Sequence, residues 1–164
     1  MPKYGRFAVT FLSLALAATL SAADLREIKE PAKIANVFPK AAKLRMLNVW
    51  AMWCVPCVAE MPDLRSIDNA FGAEVALVGV SMDDVLPDAS VAPVRAFLDK
   101  QQIHYANVYY TGNADDLAKH LNFSGEIPIT IIYDDQGKEL WRHQGRLDRN
   151  QTIARLRGLL RRKQ

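Results

Sequence analysis

Residues 48–62 read NVWAMWCVPCVAEMP and hold both cysteines of the chain, Cys54 and Cys57, with two residues between them. Immediately before, residues 44–50 (LRMLNVW) make a short apolar run suited to a buried strand. Beyond, Val58, Met61, Leu64, Ile67 and Phe71 recur every three or four residues until Gly72 stops the pattern, which predicts a helix. The thiols therefore fall where a strand hands over to a helix. A helix start has unpaired backbone N–H groups and the positive end of the dipole, so Cys54, placed there, is favoured as the reactive thiolate. Cys57 lies one turn further in, on the same face and within reach of a disulfide. Pro56 falls in the first turn, where a missing N–H costs little. An attacking thiol, a resolving thiol and a stiff turn between them suit thiol–disulfide exchange.

Other uses of two thiols fit less well. A structural zinc site usually takes four ligands, and His104, His120 and His143 are scattered through other segments, so no metal is expected. A disulfide closing so short a loop removes little entropy from the unfolded chain and is a poor staple. Copper capture by the two thiols and Met52 is chemically open, since soft ligands suit reduced copper, but softness does not account for the strand-to-helix setting.

The chain has 164 residues, half of them apolar and 24% charged, enough for one domain with a sizeable core. Its first residues, MPKYGRFAVTFLSLALAATLSAADL, pass from a basic start through an apolar run, Phe7 to Leu20, to Ser21, Ala22 and Ala23 before the first acid, Asp24. That layout predicts a signal peptide over residues 1–23, cleaved after Ala23; the alternative is an uncleaved membrane anchor, for which the apolar run is slightly short of the roughly 20 residues a span needs. Losing Lys3 and Arg6 brings the formal charge of +3 close to balance, which argues against a nucleic-acid partner. Export, with the periplasm as the expected location, would put the thiols outside the reducing cytosol, where disulfides persist.

Residues 24–43 show little periodicity, contain Pro31 and Pro39, and read as a loosely structured lead-in. The domain proper is expected over residues 44–164. EVALVGVSM, ANVYY, ITIIYD and ELWRHQG follow LRMLNVW as four more strands. Val94, Phe97 and Leu98 mark a second helix, and Asn113 caps a short third one with Leu117 and Leu121. A fourth starts at Asp148, with Gln151 three residues on, and runs through Ile153, Leu156 and Leu160. Strands alternating with helices, then a hairpin through DDQGK and a last helix, predict an α/β fold with helices covering a central mixed sheet.

These residues resemble the extracytoplasmic thioredoxin-like thiol–disulfide oxidoreductases, the TlpA, ResA and CcmG group. The likeness starts in NVWAMWCVPCVAEMPDL and continues through VGVSMDD, VRAFLDKQQI and LAKHLNFSGEIPITIIYDDQGKELWRHQGRLD, over roughly residues 44 to 162. It implies a thioredoxin fold carrying the group's inserted helix and strand, with the redox-active Cys54–Cys57 disulfide in place of a bound cofactor. It also implies that Cys54 attacks a client disulfide, that Cys57 resolves the mixed disulfide, and that Pro128, after Ile127, is the cis-proline facing them. Backbone beside such a proline can pair with an extended client. Two departures stand out. The hairpin usual before the first core strand is not recognisable in residues 24–43, and Ile129 stands where threonine commonly follows the late proline, a change expected to touch client contact more than chemistry.

Glu60 shares a stripe with Leu64, Ile67 and Phe71 and lies three residues after Cys57. A carboxyl turned toward the core there would have its pKa raised and could exchange a proton with the inner thiol, a role the resemblance supports. Trp53, beside the attacking thiol, is expected to offer apolar docking surface, and Trp50 to pack beneath the strand. The basic C-terminus, RLRGLLRRKQ, reads as a solvated last turn complementing the helix dipole. No histidine sits beside Cys54 to stabilise its thiolate as in strongly oxidising proteins, which favours a reductant. The expected partners are exported proteins with disulfides, an apocytochrome c among them, and a membrane thiol donor. A monomer is expected.

Overall fold

The computed structural model describes residues 23–162, so the expected signal peptide lies outside it except for Ala23. In chain order the elements are β1 (Leu25–Ile28), a 3-10 helix (Pro31–Val37), β2 (Leu44–Trp50), α1 (Val55–Phe71), β3 (Val75–Ser81) and α2 (Val91–Lys100). There follow β4 (Ala106–Tyr110), α3 (Ala114–Leu121), β5 (Ile129–Asp134), β6 (Glu139–Gln144) and α4 (Arg149–Arg161). The five expected strands and four expected helices are all present. They build one six-stranded sheet in the order β1-β4-β3-β2-β5-β6, parallel from β1 to β2, with β5 and β6 antiparallel. The helix and strand inserted between β3 and α3 are α2 and β4.

Alternation along β2 sorts the core into two layers. Leu44, Met46 and Trp50 face α1, α2 and α4, where Met61, Leu64, Leu98 and Leu156 are buried. Leu47 and Val49 face the other way, onto Leu117 and Leu121 of α3 and Ile34 and Val37 of the 3-10 helix. Asn48 falls on the α1 side by the same alternation, a polar residue in the middle of a buried strand. Helix starts are capped as expected: Asn113 Oδ1 accepts from Asp115 N at 2.8 Å, and Asp148 Oδ1 from Gln151 N at 2.8 Å.

Residues 24–43 are not a loose lead-in. β1 pairs in parallel with β4, Leu25 opposite Asn107 and Ile28 opposite Tyr110, and completes the sheet edge. Arg95 of α2 donates to the carbonyls of Ala23 and Leu25 at 2.9 and 3.2 Å, and the Ala23 N–H donates to Asp99 at 2.8 Å. Ala23, the residue expected to end the removed segment, is thus bonded to α2. The strand is only four residues long with charged Arg26 and Glu27 at its centre, too short to show an alternating pattern. Its place is set by an open backbone edge on β4, a feature of the sheet. Ile34 and Val37, three apart, share one face of a 3-10 helix and bury there.

One end of the sheet gathers the loops that matter. Trp50, the last residue of β2, lies opposite Ser81, the last of β3, and Val49 lies opposite Ile129, the first of β5. The loops leaving β2 and β3 and the loop entering β5 therefore meet side by side. The carboxyl ends of parallel strands are the usual place for chemistry in such sheets. Among the described residues no helix is long and apolar enough to cross a membrane.

Candidate active site

Cys54 is the N-cap of α1, with extended backbone, and its Sγ accepts the Cys57 N–H at 3.3 Å. That bond places the sulfur on an otherwise unpaired amide at the positive helix end, as the spacing predicts. Pro56 occupies the first turn, exposed. Cys54 and Cys57 are joined in a disulfide. Cys57 is fully buried, and Cys54, the outer sulfur, is only 5% exposed in this oxidised state.

Cys54 Sγ lies 3.6 Å from the carbonyl oxygen of Ile127, and the Ile127–Pro128 bond is cis. A disulfide sulfur has no proton to donate, so this is a contact in the oxidised protein and an available acceptor for the Cys54 thiol once reduced. Ile127 is partly buried and Pro128 buried, and it is the Ile127 carbonyl that meets the outer sulfur. Ile129 behaves otherwise than expected. Its side chain is buried in the α3-side core, as alternation at the start of β5 requires, and offers no surface to a client.

Beneath the disulfide, Glu60 is completely buried. Its Oε1 accepts from Asn48 Nδ2 at 2.8 Å and its Oε2 from the Leu147 N–H at 2.8 Å. Asn48 also donates to Thr130 Oγ1 at 3.1 Å. Burial pushes the Glu60 carboxyl above its ordinary 4.5; the bonds from Leu147 and Asn48 and the charges of His143 and Arg146 oppose this without cancelling it. The expected acid is thus in the expected place, one turn past Cys57 and facing inward. Asn48 and Thr130 were not singled out from the sequence. The only signal was a polar side chain inside an apolar strand, and its partner was not readable from β2 alone.

Asp83 was missed altogether. Its carboxylate is buried at the exit of β3 and accepts the Met52 N–H at 2.9 Å and the Ser81 hydroxyl at 2.7 Å. Burial raises its pKa above 3.8, with the Ser81 and Met52 hydrogen bonds pulling the other way. It anchors the loop Ala51–Met52–Trp53 that delivers Cys54. Trp50 is fully buried and packs against Phe97 with ring centroids 5.6 Å apart, while Trp53 is 48% exposed. Trp50 packs beneath the strand as the sequence predicts, and Trp53 stands out to solvent beside Cys54. Gly79, opposite Asn48 on β3, leaves room for the Trp50 indole, since a Cβ there would overlap Asn107 and press on the indole nitrogen. Among the described residues no three of His, Cys, Asp and Glu stand together in a way that could hold a metal ion.

A family model described as Redoxin matches residues 19–160, a span that takes in every element of the site. The chain belongs to the Redoxin family. It is 33% identical over 116 residues to the thiol-disulfide oxidoreductase ResA of Oceanobacillus iheyensis, covering 70% of this chain and 54% of that one. The thioredoxin-like protein YneN of Bacillus subtilis is 25% identical over 111 residues, 68% of this chain and 62% of its own. The chain thus spans somewhat over half the length of these curated relatives. The fold is shared with a DsbF homologue from Corynebacterium diphtheriae, at a TM-score of 0.64 and 23% identity over 76% of this chain and 75% of that one. The resemblance drawn from the motifs therefore holds, and the thioredoxin fold with it.

Proposed function

We propose that this Redoxin-family chain is a periplasmic thiol–disulfide oxidoreductase that reduces disulfides in exported proteins. The observation that carries the reading is the seating of one cysteine pair between two supports. The outer sulfur faces Ile127 and Pro128, where a client can lie, and the inner sulfur is buried one turn from a carboxyl whose pKa burial has raised.

In the reduced protein the Cys54 thiolate attacks one sulfur of a client disulfide, forming a mixed disulfide and releasing the other client sulfur as a thiolate. Cys57 then attacks Cys54 Sγ. Its proton passes to the Glu60 carboxylate, the protein disulfide closes, and the second client thiolate departs. Two electrons have moved from protein to client. Glu60 afterwards gives its proton to the departing thiolate or to water, and a membrane thiol donor restores the dithiol. A carboxyl with a raised pKa suits this task because it can hold a proton nearer neutrality than an exposed glutamate. An apocytochrome c is the client class the resemblance suggests.

Insulin reduction in dithiothreitol, run beside metal analysis of the reduced chain, tests the proposal. Turnover without tightly held metal is expected. Stoichiometric copper and no turnover would mean that the cysteine pair serves a copper chaperone instead. Equilibration with glutathione would give the potential and with it the direction, a reducing value being expected.

A further inference from the structure

Among the described residues four large apolar side chains stand exposed: Trp53 (48%), Val55 (79%), Val85 (49%) and Leu86 (47%). Trp53 and Val55 adjoin Cys54 on either side. Val85 and Leu86 belong to the turn that leaves β3, whose last residue lies beside the last residue of β2. The two loops are joined directly, since Asp83, two residues before Val85, accepts the N–H of Met52, the residue before Trp53, at 2.9 Å. On the other flank the chain enters β5 past Ile127, whose carbonyl oxygen touches Cys54 Sγ. All four side chains thus crowd the end of the sheet that carries the disulfide.

A single exposed apolar residue needs no explanation, but a group gathered around one site does. Slackness of the turn does not account for it. Val85 N donates to Met82 O at 3.3 Å, Leu86 N to Asp83 O at 3.2 Å, and the Tyr109 hydroxyl to Asp84 at 3.0 Å. The turn is pinned on several sides and still holds Val85 and Leu86 out to solvent. Residues 81–90 carry Asp83, Asp84 and Asp88 and no basic residue.

Resting on the oxidoreductase reading above, we infer that Val85 and Leu86 form a ledge that selects the client: an extended polypeptide with a bulky apolar side chain about three residues from its reacting cysteine. The client sulfur must come to Cys54 Sγ, so anything that packs on the ledge is continuous with the segment lying at Ile127 and Pro128. From Cys54 beyond the end of β2, across β3 to β4, where the Tyr109 hydroxyl holds Asp84 of the turn, is two strand spacings, about 10 Å, which an extended chain covers in about three residues. Asp84 and Asp88 disfavour a carboxylate at that position.

The test uses the reduced full chain and short peptides whose single cysteine is disulfide-linked to thionitrobenzoate. Attack on the peptide sulfur releases the coloured thiolate. Peptides carry Leu, Ser or Asp three residues from the cysteine on either side, and hydroxyethyl disulfide serves as a substrate too small to reach the ledge. The leucine peptide is expected to react about tenfold faster than the serine peptide, with the aspartate peptide slowest. The V85S/L86S variant should abolish that order by slowing the leucine peptide alone. Equal rates for all peptides in the wild type would overturn the ledge, as would uniform slowing of every substrate in the variant. A dimer in sedimentation that V85S/L86S dissociates would assign the surface to a second copy and overturn it too. A wild-type chain inert even toward hydroxyethyl disulfide would instead remove the oxidoreductase reading beneath it.

Discussion

Asn48 Nδ2 donates to Glu60 Oε1 at 2.8 Å, tying the middle of β2 to the second turn of α1 beneath the disulfide. The same amide reaches Thr130 on β5, so one strand residue holds the acid against two neighbouring elements. Replacing Asn48 with alanine strips a donor from a buried carboxyl and from a buried hydroxyl. Stability measured by urea unfolding should fall by about 1–3 kcal/mol. Replacing it with aspartate sets a second carboxyl against Glu60, and two such groups resist joint ionisation. The pH–rate profile of client reduction should then move to higher pH, and an unmoved profile would separate Glu60 from the rate.

Glu60 also makes the fold sensitive to pH in a definite direction. Its folded pKa lies above the ordinary 4.5, so the native state holds the proton more tightly than the unfolded chain. The associated stability is complete below 4.5 and is lost as pH rises through the folded value. In urea titrations of the oxidised protein, E60Q should flatten this decline. Asp83 and Asp68, also raised by burial, contribute with the same sign, so some decline should persist. Exchange at neutral pH should slow in E60Q because the inner thiol has lost its proton acceptor.

The two sulfurs should separate cleanly by substitution. C54S removes the attacking atom and should lower insulin reduction on the order of a thousandfold or more. C57S keeps the attack and loses the resolving step. It should accumulate a mixed disulfide with the client at Cys54, seen by mass spectrometry and released by dithiothreitol. Trapping by C54S instead would reverse the assigned roles.

Asp83 should matter at a distance from the sulfurs. In D83A the Met52 N–H and the Ser81 hydroxyl lose a buried acceptor, at a cost of about 1–3 kcal/mol in unfolding free energy. The loop bearing Trp53 loses its anchor, and kcat/KM for a protein client should fall about tenfold through misplacement of the attacking sulfur. D83N keeps an acceptor for Met52 and should restore most of both. A D83A protein with unchanged client kinetics would confine Asp83 to stability.

Much of this was legible along the chain because it depends on neighbours in sequence. The strand LRMLNVW, the helix stripe from Val58 to Phe71, Cys54 at the helix start and the caps Asn113 and Asp148 follow from local periodicity and local hydrogen bonding. Glu60 could be placed inward for the same reason, since three residues from Cys57 on a helix is a fixed direction. The partners of these groups could not be read that way. Leu147, which donates to Glu60, lies 87 residues away, and Met52, held by Asp83, lies 31 residues away, so only sheet order and register bring them together. β1 gained its place from an open edge on β4 rather than from any pattern of its own. Ile129 turned inward because register with Val49 set its face. Local periodicity and capping thus determined where the two cysteines and Glu60 sit along strand and helix, while the folded sheet decided what surrounds them, because pairing across strands joins residues that sequence keeps far apart.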